Sequence, residues 1–79
     1  NNEKIKITEN DANQRIDKYL KKLLVNAPNN FIYKMFRKKD IKVNGKKVDE
    51  KYILSLDDEV EMFLYDDKFK EFTETKSNL

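Results

Sequence analysis

The chain contains no cysteine, no histidine, a single glycine and a single proline. Without cysteine there is neither a disulfide framework nor a thiolate zinc site. The acidic pairs Asp57-Asp58, with Glu61 nearby, and Asp66-Asp67 have no histidine, cysteine or glycine-rich loop beside them. They read as a turn and a solvated acidic edge rather than as metal ligands or an acid–base pair, so no catalytic residue, metal or cofactor is expected. There is no long apolar run and no apolar leader, so neither a membrane span nor a secretory signal is expected, and a reducing cytoplasmic setting is the default. At 79 residues the chain makes one domain at most. A domain of this size buries only about 60% of its unfolded surface and has no room for a deep enzyme cleft.

What the chain has in abundance is charge, at 41% of residues. Apolar residues scattered through such a composition would mean disorder, but here they are strongly periodic, so most of the chain is expected to fold. The net charge of +2 hides a strong segregation. Lys34, Arg37, Lys38, Lys39, Lys42, Lys46 and Lys47 stand against one acid, Asp40, whereas residues 48–79 hold ten acids and four bases. A positive face on a folded surface points to a polyanionic partner. Lysine outnumbers arginine 15 to 2, a bias that genome composition can produce, so position rather than abundance carries the inference.

Residues 4–8 alternate polar and apolar, which predicts a short strand with Ile5 and Ile7 inward. Ile16, Tyr19, Leu20, Leu23 and Leu24 then recur at helical spacing, and Asp11 with Gln14 reads as a capping box. A helix is predicted from about Ala12 to Val25, with Arg15, Lys18 and Lys22 on its polar flank. Pro28 stops it. Asn29 or Asn30 can cap a second helix, from about Phe31 to Lys38, whose apolar face is Phe31, Ile32, Met35 and Phe36. Those residues beside lysines also suit a membrane-surface helix, but a small domain needs them in its core.

Asn44-Gly45 between alternating apolar residues is the preferred two-residue hairpin turn. Tyr52, Leu54 and Leu56 follow in an extended or looping segment, and Glu59 to Leu64 alternates as a strand with Val60, Met62 and Leu64 inward. From Asp66 the pattern decays, which predicts a linker or frayed terminus, although Phe69 and Phe72 suit docking onto something. The class expected is α+β, two helices packed on a small, mainly antiparallel sheet.

Four segments, Gln14 to Leu20, Ile32 to Lys38, Ile41 to Val48 and Leu56 to Val60, resemble in order and spacing the RNA-binding domain named after small-subunit ribosomal protein S-four. The match spans roughly residues 11–64. Within that superfamily the leading strand, Arg15-Ile16-Asp17 and the stretch Ala27-Pro28 through Ile32-Tyr33-Lys34 look most like the N-terminal domain of bacterial large-subunit rRNA pseudouridine synthases of the RluC type. The resemblance implies the two-helix alpha-L fold and an RNA-binding module over residues 1–65. It implies that 66–79 form a linker toward a catalytic domain that these residues do not include. The implied partner is structured RNA, with large-subunit rRNA first, bound by a monomer. A stand-alone ribosome-associated RNA binder and a protein-interaction module with a basic face remain the alternatives.

RNA binding of this type needs cations for phosphates and side chains that reach ribose and base edges. Arg15 and Arg37, the only guanidiniums, are the expected anchors, since a planar fork grips phosphate bidentately. Lys34, Lys38, Lys42 and Lys47 are expected as point-charge contacts, with Lys39 and Lys46 at the rim. Tyr33 is placed to stack or to donate its hydroxyl, though packing is its commoner use. Asn44 is required by the turn whether or not it touches RNA, and Asp17 reads as structural. Asn30 stands where the resembled family often has serine. That family usually has glycine where this chain has Lys39 and Asp57, and a left-handed non-glycine residue costs about 1 kcal/mol.

Overall fold

In the computed structural model, which describes residues 2–73, the alternation around Ile5 becomes β1 (Asn2–Lys6). It starts and ends two residues earlier than the apolar alternation alone suggests. The reason is its partner: β4 (Glu59–Phe63) pairs with it antiparallel from Asn2↔Phe63 to Lys6↔Glu59, and the ladder stops where β4 begins. The hairpin strands β2 (Ile41–Val43) and β3 (Lys46–Lys47) complete a four-stranded sheet of order β1-β4-β2-β3, antiparallel throughout. Asn44 and Gly45 both have positive φ, 53° and 82°, as a type I′ turn demands.

The first helix, α1 (Ile16–Leu23), is shorter than its apolar period. The Asp11 capping box does not form. Instead Asn13 is left-handed, the Gln14 side-chain amide donates to the Asp11 carbonyl at 3.0 Å, and Arg15 is the N-cap without a side-chain cap bond. Residues 13–15 are drawn out of the helix by the segment at 52–54. The Asn13 amide donates to the Leu54 carbonyl, the Leu54 amide to the Gln14 carbonyl, and the Ile16 amide to the Tyr52 carbonyl, at 2.7–2.9 Å. These bonds outweigh local capping and fix where α1 starts.

The second helix, α2 (Asn29–Arg37), begins directly after Pro28. Neither Asn29 nor Asn30 caps it. The proline carbonyl accepts from the Phe31 and Ile32 amides, and its ring holds φ at −63°, so the helix is entered without a side-chain cap. At the other end the Lys39 amide donates to the Phe36 carbonyl and the Asp40 amide to the Met35 carbonyl, the paired bonds of a Schellman cap. Its left-handed position is filled by Lys39, with φ 65°.

Both helices lie on one sheet face. Ile16, Tyr19 and Leu20 from α1 and Ile32, Met35 and Phe36 from α2 meet Ile41, Val43, Val60 and Met62 from the strands, all buried. The opposite face carries Lys4, Glu61, Lys42 and Lys47 in one row across β1, β4, β2 and β3.

Two expectations are corrected. Residues 66–73 do not fray but form a third helix, α3 (Asp66–Thr73). Phe72 is buried and meets Phe31 edge-to-face at 5.0 Å, while the Asn26 backbone and side-chain amides donate to the Phe72 and Glu71 carbonyls, closing the end of α3. Residues 74–79 of the expected linker lie outside the described residues. Asp58, read as part of a solvated acidic turn, is buried, because Asn44, Tyr52 and Ser55 converge on its carboxylate. Among the described residues no helix is long and apolar enough to cross a membrane.

Candidate nucleic-acid interface

Helical spacing puts Lys34, Arg37 and Lys38 on the exposed flank of α2, and the Schellman cap turns Lys39 out beside them. The chain then reverses through β2 and β3, and Lys47, on the edge strand opposite Lys42, also lines a recess with the same helix. Tyr33, Phe36, Arg37, Lys39, Lys47 and Val48 line one open recess of about 580 Å³, and the acids Asp49 and Glu50 line it too. Three cations, from α2 with its cap and from β3, thus line one recess with the Tyr33 and Phe36 rings.

The other expected residues are distributed around this recess. Lys34 and Lys38 face the far side of α2, and the Lys38 ammonium lies 3.7 Å from Asp40. Lys42 alternates with buried Ile41 and Val43, so it points to the outer sheet face, opposite Glu61 on one neighbour and Lys47 on the other. An acid across the strand tempers that site. Lys46 is exposed at the tip of the edge strand, and Asn30 is exposed on the first turn of α2.

Arg15 stands at the start of α1 with half of its fork already engaged. Its Nε and one Nη donate to the two oxygens of Asp17 at 3.1 and 3.0 Å. Asp17 also accepts from the Lys18 amide at 2.8 Å and from the Tyr33 hydroxyl at 3.3 Å, so it is structural, as its position suggested. The Tyr33 hydroxyl in turn accepts from Lys21 at 2.9 Å, and the Lys21 ammonium lies 5.0 Å from the Tyr33 ring centroid. This chain of bonds ties α1 to α2 and holds the Tyr33 ring at the edge of the recess. Lys21 was missed as a member of the site. Its signal, a lysine one turn from Asp17, depends on a tyrosine brought in by tertiary packing.

Asn44 belongs to the scaffold. Its side-chain amide donates to Asp58 at 2.9 Å and its carbonyl oxygen accepts the Glu59 amide at 2.9 Å, which locks the hairpin to the start of β4. Burial alone would push the Asp58 carboxyl up. The Ser55 amide, the Asn44 amide and the Tyr52 hydroxyl outweigh it and hold Asp58 below the ordinary carboxylate value. The same bond to Asp58, with burial, pushes the Tyr52 phenol up. Among the described residues no group of histidine, cysteine or acidic side chains is placed to hold a metal ion.

The face can therefore grip an anion between α2 and the hairpin, with Tyr33 alongside, on a scaffold fixed by two buried acids. The S4 domain family matches residues 14–60, well over half of the chain. The chain belongs to the S4 domain family. This S4 domain is 43% identical over 58 residues to an uncharacterized RNA pseudouridine synthase of Mycoplasma capricolum, covering 72% of this chain and 19% of that protein. It is 39% identical over 56 residues to ribosomal large subunit pseudouridine synthase C of Escherichia coli K12, covering 71% and 18%. It is 41% identical over 56 residues to the enzyme of the same name from Vibrio cholerae, again covering 71% and 18%. The chain spans less than a fifth of the length of these curated relatives. No solved structure matches it.

In this S4 domain the left-handed Lys39 gives a direct test of strain against contact. Lys39→Gly is expected to raise unfolding stability by about 0.5–1 kcal/mol in urea melts, since glycine relieves the left-handed penalty at the cap. The same change removes one of the three cations of the recess, so RNA affinity should fall while stability rises. A loss of stability would show that the lysine stem packs usefully at the cap.

Proposed function

We propose that the chain is an RNA-binding module that holds structured large-subunit rRNA across α2 and the β2–β3 hairpin. In this reading it is the accessory domain of a longer pseudouridine synthase. It acts as a monomer in the cytoplasm, where ribosomal RNA is found, and the isomerisation of uridine falls to a tethered catalytic domain outside these residues. The observation that carries the proposal is the convergence of Arg37, Lys39 and Lys47, from α2 with its cap and from β3, on one recess with Tyr33 and Phe36. Membership of the S4 family and the names of the relatives support it.

Arg37 is the anchor, presenting its fork toward phosphate. Lys39 and Lys47 neutralise neighbouring phosphates, and the free edge of Arg15, held in place by Asp17, offers a further contact at the start of α1. Lys34, Lys38, Lys42 and Lys46 add longer-range attraction, and Asn30 borders the face. Binding by the isolated domain is expected to be weak, in the micromolar range, because tethering to a second domain supplies effective concentration without new contacts.

Fluorescence anisotropy with a labelled large-subunit rRNA stem-loop tests this. Arg37→Ala should weaken binding about tenfold, the scale of one charge-assisted hydrogen-bonded contact. Lys6→Ala, on the outer sheet face at the opposite edge, should change it less than about twofold. Equal effects of the two substitutions would reduce the binding to diffuse charge and sink the proposed face.

A further inference from the structure

α2 is a ridge between two recesses, and the one turned away from Arg37 has a different character. It is a groove of about 330 Å³ walled by Met35, Phe63 and Tyr65, with Lys34, Lys38 and Lys68 along its rim and Asp40 its single acid. Phe63 holds an outward position on β4, and Tyr65 follows the strand end; they are 54% and 68% exposed. One exposed ring on a small domain needs no explanation. Two rings meeting three ammonium groups in one groove form a surface with a ligand chemistry of its own.

The charge decides which ligand. An apolar protein segment laid in this groove would desolvate three lysines with one acid to offset them, which is costly. A nucleotide suits both parts: an unpaired base offers a flat face to the rings, and its phosphates meet the rim. The lysines are free to respond. Lys38 is 3.7 Å from Asp40, with its own side chain 62% exposed, and Lys68 is 3.7 Å from an exposed Glu71 and 6.0 Å from the Phe72 ring centroid; surface pairs of this kind are worth little in water. The groove is also continuous with the first face, since Lys34 and Lys38 stand on the same helix as Arg37, so one strand crossing α2 reaches both recesses.

We propose that this groove binds an unpaired nucleotide next to the RNA helix, its base stacked on Tyr65 and Phe63 and its flanking phosphates on Lys34, Lys38 and Lys68. This use of the groove rests on the RNA-binding function proposed above and makes it specific for a junction between paired and single-stranded RNA.

The test compares one rRNA hairpin, blunt, with the same hairpin carrying a short single-stranded extension at either its 5′ or its 3′ end. One of the extensions should tighten binding by the wild-type chain about 5- to 100-fold, the range of one stacked base. Tyr65→Ala should remove most of that gain while leaving affinity for the blunt hairpin within about twofold, and Tyr65→Phe, which keeps the ring, should retain the gain. Because Tyr65 is largely exposed, both variants should keep the wild-type circular dichroism spectrum. Blunt and extended hairpins binding alike, or Tyr65→Ala weakening both equally, would overturn the nucleotide site and hand the groove to a protein partner. Failure of the RNA-binding function itself would show separately, as a blunt hairpin whose affinity ignores Arg37→Ala.

Discussion

Exchanging Arg37 and Lys47 together for glutamate should lower affinity for a large-subunit rRNA stem-loop by about 10²- to 10³-fold at moderate salt. Each removed cation forfeits one phosphate contact and its released counterion, about 1 kcal/mol, and each added carboxylate contributes repulsion of similar size. Two such changes sum to about 3–4 kcal/mol. The residues come from α2 and from β3 and line the same recess. Both side chains are exposed, and thermal melts of the double variant should match the wild type within a few degrees. A loss below about fivefold would detach the recess from RNA binding even if the chain bound RNA elsewhere.

Asp58→Ala should cost about 3 kcal/mol of unfolding stability, a large fraction of the roughly 4–12 kcal/mol expected for a chain this long. The Asp58 carboxylate accepts from the Tyr52 hydroxyl at 2.8 Å and from the Ser55 amide and Asn44 side-chain amide at 2.9 Å each. Removing it strands three donors and releases the hairpin turn from the start of β4. The pH dependence has the same origin. Asp58 is held below the ordinary carboxylate value, so its ionised form favours the fold. That contribution is fully present above the unfolded value of about 3.9 and is lost as pH falls through the lower folded value. Chemical denaturation of the wild type should therefore weaken in acid below about pH 4, and Asp58→Asn should remove this component. A variant as stable as the wild type would show that Asn44 and Tyr52 find water at no cost.

The elements most readable in the sequence are those with local causes. The Asn44-Gly45 hairpin needs only its two positive φ values, and α2 needs only Phe31, Ile32, Met35 and Phe36 at helical spacing after Pro28. Where distant segments intervene, local signals mislead. Asp11 and Gln14 have the spacing of a capping box, but residues 52–54 compete for the same stretch of backbone and win. Residues 66–73 are too polar to announce a helix, and α3 exists because Phe72 finds Phe31 and because Asn26 closes its end. The burial of Asp58 depends on a turn fourteen positions earlier in the chain. Within the site the basic character was legible as charge count and spacing. Its division by α2 into two recesses was not, because which side of the helix each lysine faces is set by where β3 and β4 run. Lys39 shows the opposite case, a cation at a position that backbone geometry would give to glycine, visible from sequence once the resemblance is drawn.

The most direct test of the central claim is the salt dependence of binding to a large-subunit rRNA stem-loop, measured by anisotropy in rising KCl. If the face neutralises about five phosphates in loop or single-stranded RNA, log K should fall against log salt with a slope near −3.5, taking roughly −0.7 per contact. The Arg37→Ala variant should give a slope shallower by about 0.7. An affinity indifferent to KCl, or a slope unchanged by Arg37→Ala, would contradict an RNA interface built on α2 and the hairpin.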